Sequence, residues 1–426
     1  MEITLGPAKS IVGTFDVPGD KSISHRALLV ASIADGVSSL HNLLQAQDPE
    51  STIRCLRSLG VKITRNGETT EVYGQGLNGF RRPTADLDAG NSGTTMRLLS
   101  GILAGQPFES TITGDESLRN RPMQRVVDPL TRMGAVISSQ KGKPPLTIQG
   151  KNPLDAISHT LQVPSAQVKS AILLAGLFAE GATTITEKVI TRDHTERLLN
   201  LPVRTNEEGR TITVVGGTRI PPFTIVVPGD ISSAVFLICA AALVPGSDIV
   251  IRNVGLNPTR TAVLGILTNA GLQLSVERTS HQEPEEYGDI RVKFGPASRP
   301  IDLDSAVVPQ IIDEIPALAV LAAASGVECS VRGAGELRVK ESDRVSLLVR
   351  NLRSIGVPAE EAGDGFSFER AVITSGRVQS GGDHRIAMAF ALAGLRGGAE
   401  ITIDEAEASE ISFPHYWGVL ESFQKR

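Results

Sequence analysis

The chain has 426 residues, 41% of them hydrophobic and 4% aromatic, and a formal net charge of −5. This is the composition of an ordinary water-soluble globular protein. It argues against a global basic footprint for nucleic acid, and the scarcity of aromatics argues against a base-stacking surface.

The first residues, MEITLG, already read as a strand. No signal or transit segment precedes them, so the expected location is cytoplasmic. From residue 19 a single phrase recurs six times. It opens on small or polar residues, runs through about a dozen mostly Ala, Leu, Ile and Val residues, and stops at glycine. The copies are GDKSISHRALLVASIADG at 19–36, GNSGTTMRLLSGILAG at 90–105, SAQVKSAILLAGLFAEG at 165–181, GDISSAVFLICAAALVPG at 229–246, DEIPALAVLAAASG at 313–326 and GDHRIAMAFALAGLRGG at 382–398. Each predicts a helix with an N-cap residue and a closing glycine. The helices are apolar nearly all round, which implies burial. All fall short of the ~20 apolar residues that span a bilayer.

Strand-like runs follow the phrases: FESTITG, ATTITEK, SDIVIRN, VECSVRG and AEITIDE. After five of the six comes an amphipathic helix: STIRCLRSLG, QRVVDPLTRMG, HTERLLN, TAVLGILTNAG and RVSLLVRNLRSIG, the third poorly closed. Alternating strands then lead into the next copy. The repeat is a βαβαββ element of about 72 residues, with its apolar helix inside and its strands outside. Six such elements exceed one hydrophobic core. Val17-Pro18-Gly19-Asp20 recurs as Val227-Pro228-Gly229-Asp230, three elements later. The expected organisation is an α/β fold of two lobes, 21–229 and 1–20 plus 230–426, with crossings near 18–20 and 228–230. The alternative is a continuous solenoid.

Cys55, Cys239 and Cys329 stand singly in apolar contexts. They are expected to be buried thiols of a reducing compartment, not a zinc set. Arg192-Asp193-His194-Thr195-Glu196 has only a faint likeness to a metal pair.

The chemistry-bearing residues gather at the helix openings. Basic groups stand at Lys21, His25 and Arg26, at Arg97, Arg119 and Arg121, at Lys169, and at His384 and Arg385. A cation in a helix's first turn opposes the dipole, so it needs another reason to be there. Convergent helix N-termini with cations make a site for a polyanion. Asp313-Glu314 opens one buried helix, and Glu341 lies between Lys340 and Arg344. Such carboxylates are ordinary caps or else a general base and a general acid; cations beside a carboxylate such as Glu341 favour its ionised form unless burial opposes them. GNSGTT lacks the Walker spacing, which disfavours a nucleoside triphosphate.

At these residues the chain resembles the 5-enolpyruvylshikimate-3-phosphate synthases over its whole length. The matching segments are PGDKSISHR at 18–26, GNSGTTMR at 90–97, RNRPM at 119–123, SAQVKSA at 165–171, TRDHTE at 191–196, NPTR at 257–260, ELRVKESDR at 336–344 and DHRIAM at 383–388. GDKS, SAQxK, RxHxE and NxTR together resemble the class II subgroup, which includes glyphosate-tolerant members. The resemblance implies an inside-out α/β barrel in each of two lobes, the enolpyruvate transferase-like fold. It implies transfer of the enolpyruvyl group of phosphoenolpyruvate to shikimate 3-phosphate, with no metal and no organic cofactor, in a monomer with no nucleic-acid or membrane partner. The 21–229 lobe would be the shikimate 3-phosphate side. The other lobe would carry phosphoenolpyruvate and the acid–base residues.

By position, the resemblance assigns Lys21, Gly93, Arg121, Gln167, Arg344 and Arg385 to phosphoenolpyruvate. Ser22 and Arg26 would hold the shikimate carboxylate and ring. Ser165, Gln167 and either Thr191 or Arg192 would hold the shikimate side with its 3-phosphate, and Lys340 and Asp313 would contact its hydroxyls. Asp313 would be the base at the 5-hydroxyl and Glu341 the proton donor at C3, with Lys21 also catalytic. Lobe closure would expel competing water.

One position departs from the family pattern. Ile411 precedes Ser412-Phe413-Pro414 where many members have lysine. Gly93 stands where some tolerant members carry alanine. The glycine leaves room for glyphosate while the subgroup motifs point to tolerance, so intermediate to tolerant behaviour is expected. The nearest rival is the enolpyruvyl transferase acting on UDP-N-acetylglucosamine. Its reactive loop cysteine is missing from residues 106–125. A non-catalytic anion-binding repeat scaffold is the rival of a different class.

Overall fold

The structure is a computed structural model that describes residues 1–207, 209–280 and 284–424. The chain forms two compact units: Gly19–Val227, here the continuous unit, and Met1–Pro18 with Pro228–Arg426, the split unit. Each has its own apolar core. Among the described residues, the six apolar phrases form α1 (Lys21–Ser32), α2 (Gly93–Ala104), α3 (Ala166–Gly176), α4 (Ile231–Leu243), α5 (Ile315–Ser325) and α6 (His384–Leu395). None is long and apolar enough to cross a membrane.

These helices are the inner layer because they present almost no polar face. Small residues bring them close. A Cβ on Gly101 of α2 would run into the Ala171 carbonyl of α3. Any side chain there would force α2 and α3 apart, and overpacking of this kind typically costs about 1–3 kcal/mol.

The sheets form the outer layer, and among the described residues the five four-stranded ones share one topology. In the continuous unit, Thr224–Val226 runs parallel to Val37–His41, Leu87–Asp88 to Glu109–Thr113, and Ser158–Thr160 to Ala182–Glu187. Two antiparallel strands complete each sheet. Where one buried helix links the two strands of a parallel pair, it is the crossover such a pair requires. The amphipathic helix leads to the edge strand, and a tight turn returns the chain. One of these turns is Lys141-Gly142, with φ of 53° and 76°, as a two-residue hairpin requires.

Two strands are exchanged with respect to chain order. Val12–Asp16 leads into α1, yet it pairs in parallel with Asp248–Gly255, the strand after α4. Thr224–Val226 leads into α4, yet it pairs with Val37–His41, the strand after α1. The last sheet is closed by the N-terminal strand Ile3–Leu5, antiparallel to Ile401–Asp404.

The glycines behave differently from the expected helix caps. Only α5 closes on a left-handed C-cap, Gly326 at φ 71°. Helix α1 ends at Ser32, and Gly36, at φ 138°, sits in the turn to the next strand. The amphipathic helices form as expected, and HTERLLN gives a single short helix, His194–Leu198. A helix at Tyr416–Gln424 was not foreseen. Its Tyr416 hydroxyl donates to the Met388 carbonyl of α6 at 3.0 Å. Its Tyr416 ring also packs edge-on against Phe236 of α4. All three cysteines are buried free thiols.

Candidate active site

In the continuous unit, Asp20, Ser92 and Ser165 cap α1, α2 and α3 by accepting from the backbone N–H of Ile23, Thr95 and Val168. Lys21, in the first turn of α1, lies 3.2 Å from Asp48, in the first turn of the helix Gln47–Ser58. Asp48 therefore offsets the repulsion between the lysine and the dipole of α1.

Gly93 opens α2 beneath two guanidiniums. A Cβ there would lie 2.8 Å from Arg97 Nη1 and 3.3 Å from Arg121 Nη1. Arg121 Nη2 donates to Asn91 Oδ1 at 2.6 Å. Arg97 Nη1 donates to Gln167 Oε1 at 2.6 Å, and Gln167 Nε2 donates to Thr94 Oγ1 at 2.9 Å. Both ends of the Gln167 amide are thus oriented, and α2 and α3 present one polar edge. Ser22, Ser165, Gln167 and Arg192 are partly exposed.

Behind this edge lies a buried layer. Arg26 is 2% exposed. Its Nε donates to Thr195 Oγ1 at 2.8 Å, its Nη2 to Ser170 Oγ at 2.9 Å and its Nη1 to the Ser22 carbonyl at 3.0 Å. His25 Nδ1 pairs with Thr52 Oγ1 at 2.8 Å, and Thr52 with Thr95 Oγ1 at 2.7 Å. Burial, with Lys21 and Arg26 nearby, pushes the His25 pKa well below the ordinary histidine value.

Two sequence expectations change here. Lys169 stands in the first turn of α3, but its side chain is 0% exposed and turns inward against Glu187 and Glu196. Thr191 is buried and its hydroxyl donates to Glu187 Oε2 at 2.7 Å, whereas Arg192 next to it is partly exposed. The carboxylates of the 191–196 segment face cations. Asp193 takes Arg197 at 2.9 Å and Arg210 at 3.3 Å.

In the split unit one guanidinium organises the site. Arg344, the first residue of the helix Arg344–Ser354, is 1% exposed. Its Nε donates to Asp383 Oδ2 at 2.8 Å, its Nη2 to Glu341 Oε2 at 2.6 Å and its Nη1 to Asp313 Oδ1 at 3.3 Å. Burial pulls the Arg344 pKa down, but Asp383, Glu341 and Asp313 outweigh it and hold the group above the ordinary arginine value. Lys340 lies 3.7 Å from Asp313. Asp383 is also the N-cap of α6 and accepts from Arg385 N at 2.9 Å, which fixes where the Arg385 side chain begins. The Arg385 guanidinium lies 5.9 Å from the Phe236 ring centroid. Glu314 belongs to a second cluster, with Ser232 and with Arg260 at 3.5 Å.

The structure thus gathers Asp313, Lys340, Glu341 and Arg344, with Arg385 tied in through Asp383. It also joins Gly93, Arg121 and Gln167 through Arg97. Sequence reasoning placed Arg97 among the helix-opening cations without naming its partners, and gave no role to Asp48 or Asp383. Arg97 follows Gly93 by one helical turn, and that spacing was the available signal. Ile411 ends the short helix Ala406–Ile411 and brings no hydrogen-bond donor on its side chain.

Paired units of βαβαββ repeats, with cations and carboxylates gathered at the openings of buried helices, define the class of two-unit enolpyruvyl transferases. Residues 5–420 match the family EPSP synthase (3-phosphoshikimate 1-carboxyvinyltransferase). The chain is 49% identical over 425 residues to the 3-phosphoshikimate 1-carboxyvinyltransferase of Solibacter usitatus, covering 99% of each chain. It is 46% identical to that of Desulforamulus reducens, again covering 99% of each. The solved structure of EPSP synthase from Acinetobacter baumannii superposes with a TM-score of 0.86 at 40% identity, covering 99% of this chain and 98% of that one. The chain belongs to the EPSP synthase family.

Proposed function

We infer that the chain carries out the reaction of its family, transferring the enolpyruvyl group of phosphoenolpyruvate to the 5-hydroxyl of shikimate 3-phosphate with release of phosphate. The observation that carries the site assignment is the Arg344 cluster. It holds Asp313 and Glu341 on one buried guanidinium, at 3.3 and 2.6 Å.

The continuous unit supplies the shikimate 3-phosphate side. Ser165, Gln167 and Arg192 take its phosphate and ring, and Ser22 and Arg26 its carboxylate. Phosphoenolpyruvate carries a carboxylate and a phosphate, so cations must hold it. In the continuous unit Lys21 and Arg121, with Gly93 and Gln167, are suited to it, and in the split unit so are Arg344 and Arg385. Asp313 and Lys340 contact the shikimate hydroxyls.

The addition step then follows. Asp313 accepts the 5-hydroxyl proton as the oxygen bonds to C2 of phosphoenolpyruvate, and Glu341 delivers a proton to C3. The product of this step is a tetrahedral intermediate. In elimination a C3 proton returns to a carboxylate, the C2–O bond to phosphate breaks, and the cations stabilise the departing phosphate. The chain acts as a monomer and falls in the class II subgroup by its GDKS, SAQVK and RDHTE segments.

Titration of phosphoenolpyruvate in the presence of shikimate 3-phosphate tests the cation assignment. Lys21→Ala is expected to weaken phosphoenolpyruvate binding while shikimate 3-phosphate binds normally. Unchanged phosphoenolpyruvate affinity contradicts it.

A further inference from the structure

Lys169 is the one cation at the α3 opening that turns inward, and its contacts converge on a single loop. The side chain leaves the first turn of α3, where its backbone N–H donates to the Ser165 carbonyl at 3.0 Å. An ammonium has three donors. Here two go to the Glu187 oxygens, at 3.0 and 2.9 Å, and the third to the Thr191 carbonyl at 3.4 Å. Glu196 adds a charge contact at 2.7 Å.

Glu187 ends the strand Ala182–Glu187 and reaches across the following turn. Its Oε2 accepts from both the Thr191 backbone N–H at 3.2 Å and the Thr191 hydroxyl at 2.7 Å. The N–H, the hydroxyl and the carbonyl of Thr191 are therefore all engaged by Lys169 and Glu187. Arg210 closes the cluster from the adjoining strand, 3.8 Å from Glu187 and 3.3 Å from Asp193. Three cations, Lys169, Arg197 and Arg210, face three carboxylates, Glu187, Asp193 and Glu196.

A buried ion cluster is weak evidence for stability by itself, because desolvation offsets much of the attraction. What the geometry does achieve is registry. Thr191 is pinned to the helix that carries Ser165 and Gln167, and the partly exposed Arg192 is the next residue. We propose that Lys169 is a positioning residue for shikimate 3-phosphate: through Glu187 and Thr191 it fixes Arg192 relative to Ser165 and Gln167. This rests on the assignment of Arg192 to that substrate.

The test is calorimetric titration of shikimate 3-phosphate into the full chain as parent, Lys169→Met, Arg192→Ala and the double variant. Each single substitution is expected to weaken binding roughly tenfold or more, since small misplacements of a positioned group are costly. The double variant should bind within about twofold of the weaker single, because the two act as a unit. The KM for phosphoenolpyruvate, at saturating shikimate 3-phosphate, should stay near the parent value. Parent-like binding by Lys169→Met beside weakened Arg192→Ala, or additive effects, overturns the positioning role and leaves the Arg192 assignment standing. Parent-like binding by Arg192→Ala overturns the assignment itself, and the proposal with it. If Lys169→Met does not fold, Glu187→Gln is measured in its place. It keeps the side-chain shape but removes the charge that Lys169 holds, and unchanged binding overturns the proposal.

Discussion

Arg344 and Asp383 form a fully buried ion pair, with Nε donating to Oδ2 at 2.8 Å and exposures of 1% and 0%. Asp383 serves three partners at once: Arg344, the Ser342 hydroxyl at 3.0 Å and the Arg385 N–H at 2.9 Å. The pair therefore joins the helix Arg344–Ser354 to the opening of α6. Removing Asp383 leaves the buried Arg344 Nε without its acceptor, with Glu341 and Asp313 remaining on the other two nitrogens. Asp383→Ala is expected to destabilise the split unit by about 3–5 kcal/mol. Urea unfolding checks this, and phosphoenolpyruvate binding should weaken as well.

Asp313 and Glu341 share Arg344 but differ in their second partners. Asp313 has Lys340 at 3.7 Å. Asp313→Ala and Glu341→Ala are each expected to lower kcat by roughly 10²–10⁴-fold, as for loss of a general acid or base. Binding of shikimate 3-phosphate should be less affected than turnover. Parent-like turnover in both variants removes the proton-transfer assignment.

Gly93 is a steric gauge for the anion site. An alanine Cβ would press on Arg97 Nη1 at 2.8 Å and stand 3.3 Å from Arg121 Nη1. One or both guanidiniums must shift. Gly93→Ala is expected to raise the KM for phosphoenolpyruvate and the glyphosate inhibition constant together. For the parent, an inhibition constant in the submicromolar range against phosphoenolpyruvate would contradict tolerance.

His25 gives a pH dependence with a defined sign. Its folded pKa lies well below 6.5, because of burial and then Lys21 and Arg26. The unfolded chain thus binds the proton more readily. The stability that neutral His25 permits is complete above about pH 6.5 and is lost as pH falls from there towards the folded value. Unfolding free energy measured from pH 7.5 to 5 should decline, and His25→Gln should flatten that decline.

The six inner helices were legible because burial on all sides leaves no polar face to disguise. Their ends were less so. Gly36 looks like a cap in sequence, but helix α1 stops at Ser32 and the glycine serves the turn into the next strand. Helix Tyr416–Gln424 escaped because its role, covering α6, is a tertiary one. Lys340, Glu341 and Arg344 were legible because a carboxylate flanked by cations is visible in a short segment, and Asp313 because it opens a buried helix. Asp383 reads only as a cap in sequence, and its ion pair with Arg344 spans 39 residues. Lys169 was misplaced for the same reason. Its partners Glu187 and Glu196 lie on other elements, and without them a lysine in a first helical turn looks like an anion contact.

The most direct measurement is phosphate release from the purified chain given phosphoenolpyruvate and shikimate 3-phosphate, with UDP-N-acetylglucosamine as the parallel acceptor. Release with shikimate 3-phosphate alone is the expected result. Release with the UDP-sugar alone, or with neither acceptor, would contradict the account.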